Sequence, residues 1–249
     1  MFKQPKHIFV NAGVVIAPLP GDVMPAQQIA DVSNSLLLAQ LSARAKYPQV
    51  SQHLEREQAC QTMLDNVYWI RLNEPYFALD GVQTLSIDDV VTNQSGGLFT
   101  ADVRAGFVAL VASLKTSPPS ERALNVWREQ TVWPLHTEHL ESTECPVPDR
   151  FQVCMKFALM GVGPVIHTLM LSFTTHTVLA TDFLNQTLVI DPESKLELQA
   201  YSYEMSRRNY ANLRGTVVKK LGDKPGQYVM PWSSARLPDP PLDLTRFRG

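Results

Sequence analysis

From Phe151 onward the chain alternates with a period of two. Phe151, Val153, Met155, Phe157 and Leu159 are all apolar at odd positions, and after Gly161-Val162-Gly163 the odd set Val165, His167, Leu169, Leu171 and Phe173 is again the more apolar one. A two-residue period belongs to a β-strand, and two such runs joined by a glycine-rich turn make a long hairpin. Both strands turn their odd residues to one face only when the pairing sum is even, for example 160 opposite 164. The even positions are also apolar in part, with Ala158, Met160, Ile166, Met170 and Val178 among them. A sheet that is apolar on both sides needs two covers. Each side chain covered is worth roughly 1.5–3 kcal/mol. The C-terminal helix is expected to supply one cover, and the helical N-terminal half or a second subunit the other.

Upstream the period is that of helices. Ile29, Val32, Leu36, Ala39 and Ala43 fall on one face between Pro25 and Lys46. Ser51 can cap a second helix to about Leu72, which would bury Cys60, Met63, Leu64, Val67 and Ile70. The pair predicts an antiparallel αα-hairpin. Asp80-Gly81 between 76–79 and 82–87 reads as a small β-hairpin. A third helix is expected from a Thr100 cap to Leu114, and a fourth from a Ser120 cap to about Val132, where Pro134 disfavours helix at Trp133. At the N-terminus, Ile8–Ala17 is interrupted by Asn11 and Gly13 and followed by Pro18-Leu19-Pro20-Gly21, which reads as a buried strand rather than a secretory leader.

Two further short strands, at about 186–190 and 196–201, complete an expected four-stranded antiparallel meander. A helix from about Tyr203 to Leu221 closes it, stopped by Gly222. The expected fold is thus α+β. Residues 1–142 are mainly helical, with an N-terminal strand and a small hairpin, 143–222 form the meander and long C-terminal helix, and 223–249 are a proline-rich extended tail. That tail is expected to be held, where ordered, at Tyr228, Val229 and Trp232.

Composition narrows the function. Hydrophobic residues make up 45% of the 249 and charged residues 18%, enough apolar material for a packed core. No apolar run approaches the roughly 18 residues of a membrane helix, so no membrane partner is expected. Three scattered cysteines form neither a disulfide framework nor a zinc motif, which suits a cytoplasmic protein. The formal charge is −2, and Arg207, Arg208, Arg214, Lys219 and Lys220 scatter around the last helix rather than forming a basic stripe, which argues against a nucleic-acid partner.

Searching for chemistry returns exclusions. The chain has no phosphate loop, dinucleotide fingerprint, nucleophile elbow or HExxH, and no cofactor is expected. His136 and His139 lie three apart and would share one side of a helix. A zinc ion needs at least one further ligand, so the segment reads as solvated and metal-free. Cys154 and His167 sit on opposite faces of the predicted hairpin, out of hydrogen-bond reach. Cys154 reads as a small buried hydrophobe, and His167 as a hydrogen-bonded core residue. The first functional expectation is therefore a non-catalytic interaction or assembly protein that binds a protein partner or itself. Exchange of the tail between copies would give a homo-oligomer that truncation at about Gly222 weakens. The alternative is a small-molecule-binding domain or enzyme with a pocket between the meander and its helix, lined by Met155, Phe157, His167, Tyr201 and Tyr210.

Overall fold

The computed structural model describes residues 8–49, 52–93, 97–117, 119–135, 150–180 and 182–232. Its strands are β1 (Phe9–Asn11), β2 (Val14–Pro18), β3 (Trp69–Asn73), β4 (Tyr76–Leu79), β5 (Thr84–Leu85), β6 (Val132–Leu135), β7 (Arg150–Gly161), β8 (Val165–Thr175), β9 (Leu188–Val189), β10 (Leu196–Met205) and β11 (Val229–Pro231). Its helices are α1 (Ala26–Lys46), α2 (His53–Asn66), α3 (Ile87–Thr92), α4 (Ala101–Thr116), α5 (Glu121–Thr131), α6 (Arg207–Leu221) and α7 (Pro225–Tyr228).

The predicted long hairpin is present, and its pairing sum is even. Gly161 lies opposite Val165 and Leu159 opposite His167, two residues along from the 160/164 example. The odd and even faces feed two different cores. Val153, Met155, Phe157, Leu159, Leu169, Leu171 and Phe173 pack with α3, α4 and α5. Ala158, Met160 and Ile166 pack with α1, α2 and α6. Both covers therefore come from this chain, and the helical half is split between them. Close approach of α4 to the sheet uses Gly106, where a Cβ would come within 2.8 Å of Leu159 Cδ1 and 3.0 Å of Leu19 Cδ2.

The four-stranded meander is corrected. Among the described residues the sheet has nine strands in the order β11-β1-β2-β7-β8-β10-β3, with β4 also on β10 and β6 also on β7, and β2 runs parallel to β7. Only β7, β8 and β10 form a meander. Strand β9 leaves it to pair with β5 in a separate two-stranded sheet, so 76–79 and 82–87 do not pair with each other. Strands from both halves of the chain interleave, so a helical half set against a β half does not describe the molecule.

Local corrections have local causes. The second helix stops at Asn66 instead of Leu72 because Tyr68, at φ 65°, turns the chain into β3, whose Trp69, Ile70, Arg71 and Asn73 pair with β10. The last helix begins at Arg207 rather than Tyr203 because Tyr203 and Met205 still belong to β10 and fill the α1/α2/α6 core. The single N-terminal strand is two strands, joined at Ala12 (φ 49°) and Gly13. Ser120 does cap α5, its Oγ accepting from the Ala123 N–H at 3.2 Å, and Trp133-Pro134 is extended, as the proline requires.

Candidate functional site

The five predicted pocket residues do not meet. Met155 and Phe157 are fully buried on the α3–α5 side. His167 lies on that side too, its Nδ1 2.8 Å from Ser202 Oγ and its ring edge-on to Phe99 at 6.4 Å. Burial lowers its pKa, so the imidazole is neutral at pH 7. Tyr201 and Tyr210 lie on the opposite, α1/α2/α6 side, both buried, and the Tyr210 hydroxyl has no hydrogen-bond partner among the described residues. Neither cavity described below is lined by any of the five. Cys154 and His167 sit on opposite faces, as the alternation requires. His136 and His139 lie outside the described residues, and among the described residues no cluster of three or more His, Cys, Asp or Glu could hold a metal ion.

One crevice of about 50 Å³ gathers titratable side chains. It opens where the end of α1, the start of α2, β6 and the even face of β7 converge, and it is lined by Arg44, His53, Arg56, Glu57, Cys60, Trp133, Cys154 and Lys156, among others. Lys156 is a charge inside an alternating apolar strand, so it needs a partner at close range. Glu57 supplies it: the ammonium donates to Oε2, with both side chains at most 17% exposed. Burial pulls the Lys156 pKa down, but the charge of Glu57 more than reverses this and the ammonium is held protonated. Burial, helped by Glu57, pushes the Cys60 thiol up to about 12. Burial likewise puts Cys154 at about 11, against the opposing charge of Lys156. Neither sulfur is a nucleophile at neutral pH.

The guanidinium of Arg56 is pinned differently. Its Nε donates to Tyr47 O at 3.1 Å and its Nη2 to Gln49 O at 2.9 Å, while its Cζ lies 5.0 Å from the centroid of the Trp133 ring. Burial and then the neighbouring Arg44 charge lower its pKa. Arg44 makes no hydrogen bond or ion pair among the described residues. The signal that finds this crevice in a sequence is Lys156, the one formal charge between Phe151 and Gly161.

A second cavity, of about 300 Å³, lies beside Trp232 between the end of α4, the start of α5 and residues 182–185. Its walls are Leu114, Leu124, Phe183 and Leu184, and the Lys115 at its edge is held by Asp88 at 3.0 Å.

The third feature is a surface. β10 carries β3 along 202–205 and β4 along 196–199, so residues 69–79 form one long outer edge of the sheet. Ile70, Leu72, Tyr76 and Phe77 on it are 57%, 54%, 51% and 45% exposed. Its Arg71 and Glu74 neutralise each other in an ion pair. The break at Pro75 does not detach the edge, because the Pro75 carbonyl accepts from the Ala200 N–H at 3.0 Å. Among the described residues no strand pairs with its outer side.

No family model matches the chain, and no curated protein matches it by sequence. Solved structures with a distant likeness include the following two. A delta-endotoxin is 10% identical over 78% of this chain and 81% of its own, with a TM-score of 0.42. The activated Cyt2Ba monomer from Bacillus thuringiensis subsp. israelensis is 8% identical over 78% of this chain and 98% of its own, with a TM-score of 0.41. Likeness at that level carries nothing about what this chain binds or does. Among the described residues, no helix is long and apolar enough to cross a membrane.

Proposed function

We infer that this protein acts by binding a second copy of itself through the outer edge formed by β3 and β4. The observation that carries this reading is the row of Ile70, Leu72, Tyr76 and Phe77, each about half exposed on an edge with no outer partner among the described residues. A strand edge offers unpaired N–H and C=O groups, and proteins ordinarily blunt it with lysines or cover it. Here the edge is apolar, and its two charges cancel within one copy. A second copy therefore meets it without net repulsion. Identical edges pair antiparallel about a two-fold axis, which closes the assembly at two copies. At the other end of the sheet, β11 has three residues, too few to propagate a chain of subunits.

The test is sedimentation equilibrium of the full chain over on the order of a hundredfold range of concentration. The wild type shifts from monomer to dimer with increasing concentration. Leu72→Lys, and separately Ile70→Lys, remain monomeric and stay folded, because each side chain is more than half exposed and a lysine head reaches water from it. A wild type that stays monomeric throughout, or lysine variants that dimerise as the wild type does, overturns the reading.

A further inference from the structure

The crevice between α1, α2, β6 and β7 carries an excess of positive charge. The lining carries three permanent cations, Arg44, Arg56 and Lys156, against a single carboxylate, Glu57. Lys156 and Glu57 are matched to each other in an ion pair, which leaves the charges of the two arginines without an acidic partner among the described residues. Arg56 is rigid: backbone carbonyls of the α1–α2 connection hold its Nε and Nη2, and Trp133 backs its plane. Its Nη1 is not engaged by those bonds. Arg44 is half-buried on the same wall and makes no bond of its own among the described residues. The two guanidiniums line one crevice and the Arg44 charge disfavours that of Arg56, a repulsion that an anion held between them would relieve. Guanidinium donors in a planar fork match the oxygens of a carboxylate or a phosphate, and the charge of two guanidiniums selects the dianion.

We propose that this crevice binds a phosphate dianion, free or as the terminal group of a phosphomonoester, between Arg44 and Arg56, with Trp133 as its apolar wall. The site is independent of the β3–β4 edge, which belongs to another margin of the sheet.

The probes are inorganic phosphate, glycerol phosphate and acetate, each titrated by calorimetry into the full-length protein at constant ionic strength. A change in tryptophan fluorescence that is lost in Trp133→Phe reads the same event at Trp133, one of four tryptophans in the chain. Wild type binds inorganic phosphate saturably and gains thermal stability from it. Arg44→Gln weakens that binding by about tenfold or more, the loss of one charge-assisted contact. Its melting temperature without phosphate does not fall below that of the wild type, because Arg44 makes no bond among the described residues and its removal relieves repulsion with Arg56. Binding of inorganic phosphate alone supports a site for the free ion, and binding of both phosphates supports a site for a phosphomonoester. No saturable binding of either phosphate, equal binding by Arg44→Gln, or acetate bound as tightly as phosphate overturns the proposal.

Discussion

Removal of the Trp232 side chain tests whether the C-terminal segment is part of the fold or an arm laid upon it. Trp232 follows β11 directly and is 1% exposed in the α3–α5 core. It is tied at three points: its backbone N–H donates to Ile8 O at 3.0 Å, its carbonyl accepts from the Ser120 N–H at 2.6 Å, and its Nε1 donates to Ser117 O at 2.7 Å. It thus joins β1, the cap of α5 and the end of α4. A buried indole covers on the order of 200 Å² of apolar surface, worth about 5 kcal/mol at 25 cal/mol per Å². The cavity alongside tempers this, since water entering from it can solvate the Ser117 carbonyl that truncation orphans. Trp232→Ala should therefore cost about 3–4 kcal/mol, within the usual range for a buried aromatic. Trp232→Phe keeps the apolar ring and loses the Nε1 hydrogen bond, about 1 kcal/mol. Urea unfolding followed by far-ultraviolet circular dichroism measures both. A loss below about 1 kcal/mol for the alanine variant would refute the claim that this segment is integral. The same reasoning bears on truncation at Gly222. It removes β11 and Trp232 together, so a loss of oligomer in such a fragment reports unfolding, and the lysine substitutions on β3 are the cleaner probe.

Two further outcomes follow from the crevice. Glu57→Gln leaves the Lys156 ammonium buried without its counter-charge and should destabilise the protein by about 2–4 kcal/mol, toward the low end of buried-pair losses because water reaches the edge of the pair. Glu57→Leu combined with Lys156→Met should unfold within about 1 kcal/mol of wild type in the same urea assay, and a double variant as damaged as the single one would contradict this. The second outcome is a pH dependence. In the folded chain the Cys154 and Cys60 thiols keep their protons up to about 11 and about 12, whereas unfolded thiols lose them above roughly 8.5. The folded state then binds more protons than the unfolded one, so stability falls as pH rises above 9, by about 1.4 kcal/mol per pH unit per thiol. A Cys60→Ala, Cys154→Ala variant should lose that part of the slope between pH 9 and 10, and an unchanged slope would mean that burial does not hold these thiols protonated.

The long hairpin and its two apolar faces were legible in the sequence because side-chain alternation is a property of the strand itself. The same alternation gave the even pairing sum and separated Cys154 from His167. What it could not give is a strand's partner. β2, Val14–Pro18, is buried at every residue, so it has no polar face to orient it, and its parallel pairing to β7 spans more than half the chain. Val67 and Ile70 satisfy helical spacing after Leu64 and also fit the run into β3; the left-handed turn at Tyr68 and the long-range pairing to β10 decide between them. Tyr201 and Tyr210 share no pocket with Met155, Phe157 and His167, because β10 turns Tyr201 away from the α3–α5 core, and the phase of that one strand relative to β8 is what alternation alone does not fix. The need for two covers was sound, whereas the use of a second subunit as one of them was not required, since α1, α2 and α6 close one face and α3, α4 and α5 the other. This relocates the case for self-association. With both faces covered from within, the proposed contact between copies rests on an edge of the sheet, and among the described residues β3–β4 is the end of the sheet that combines length with exposed apolar side chains.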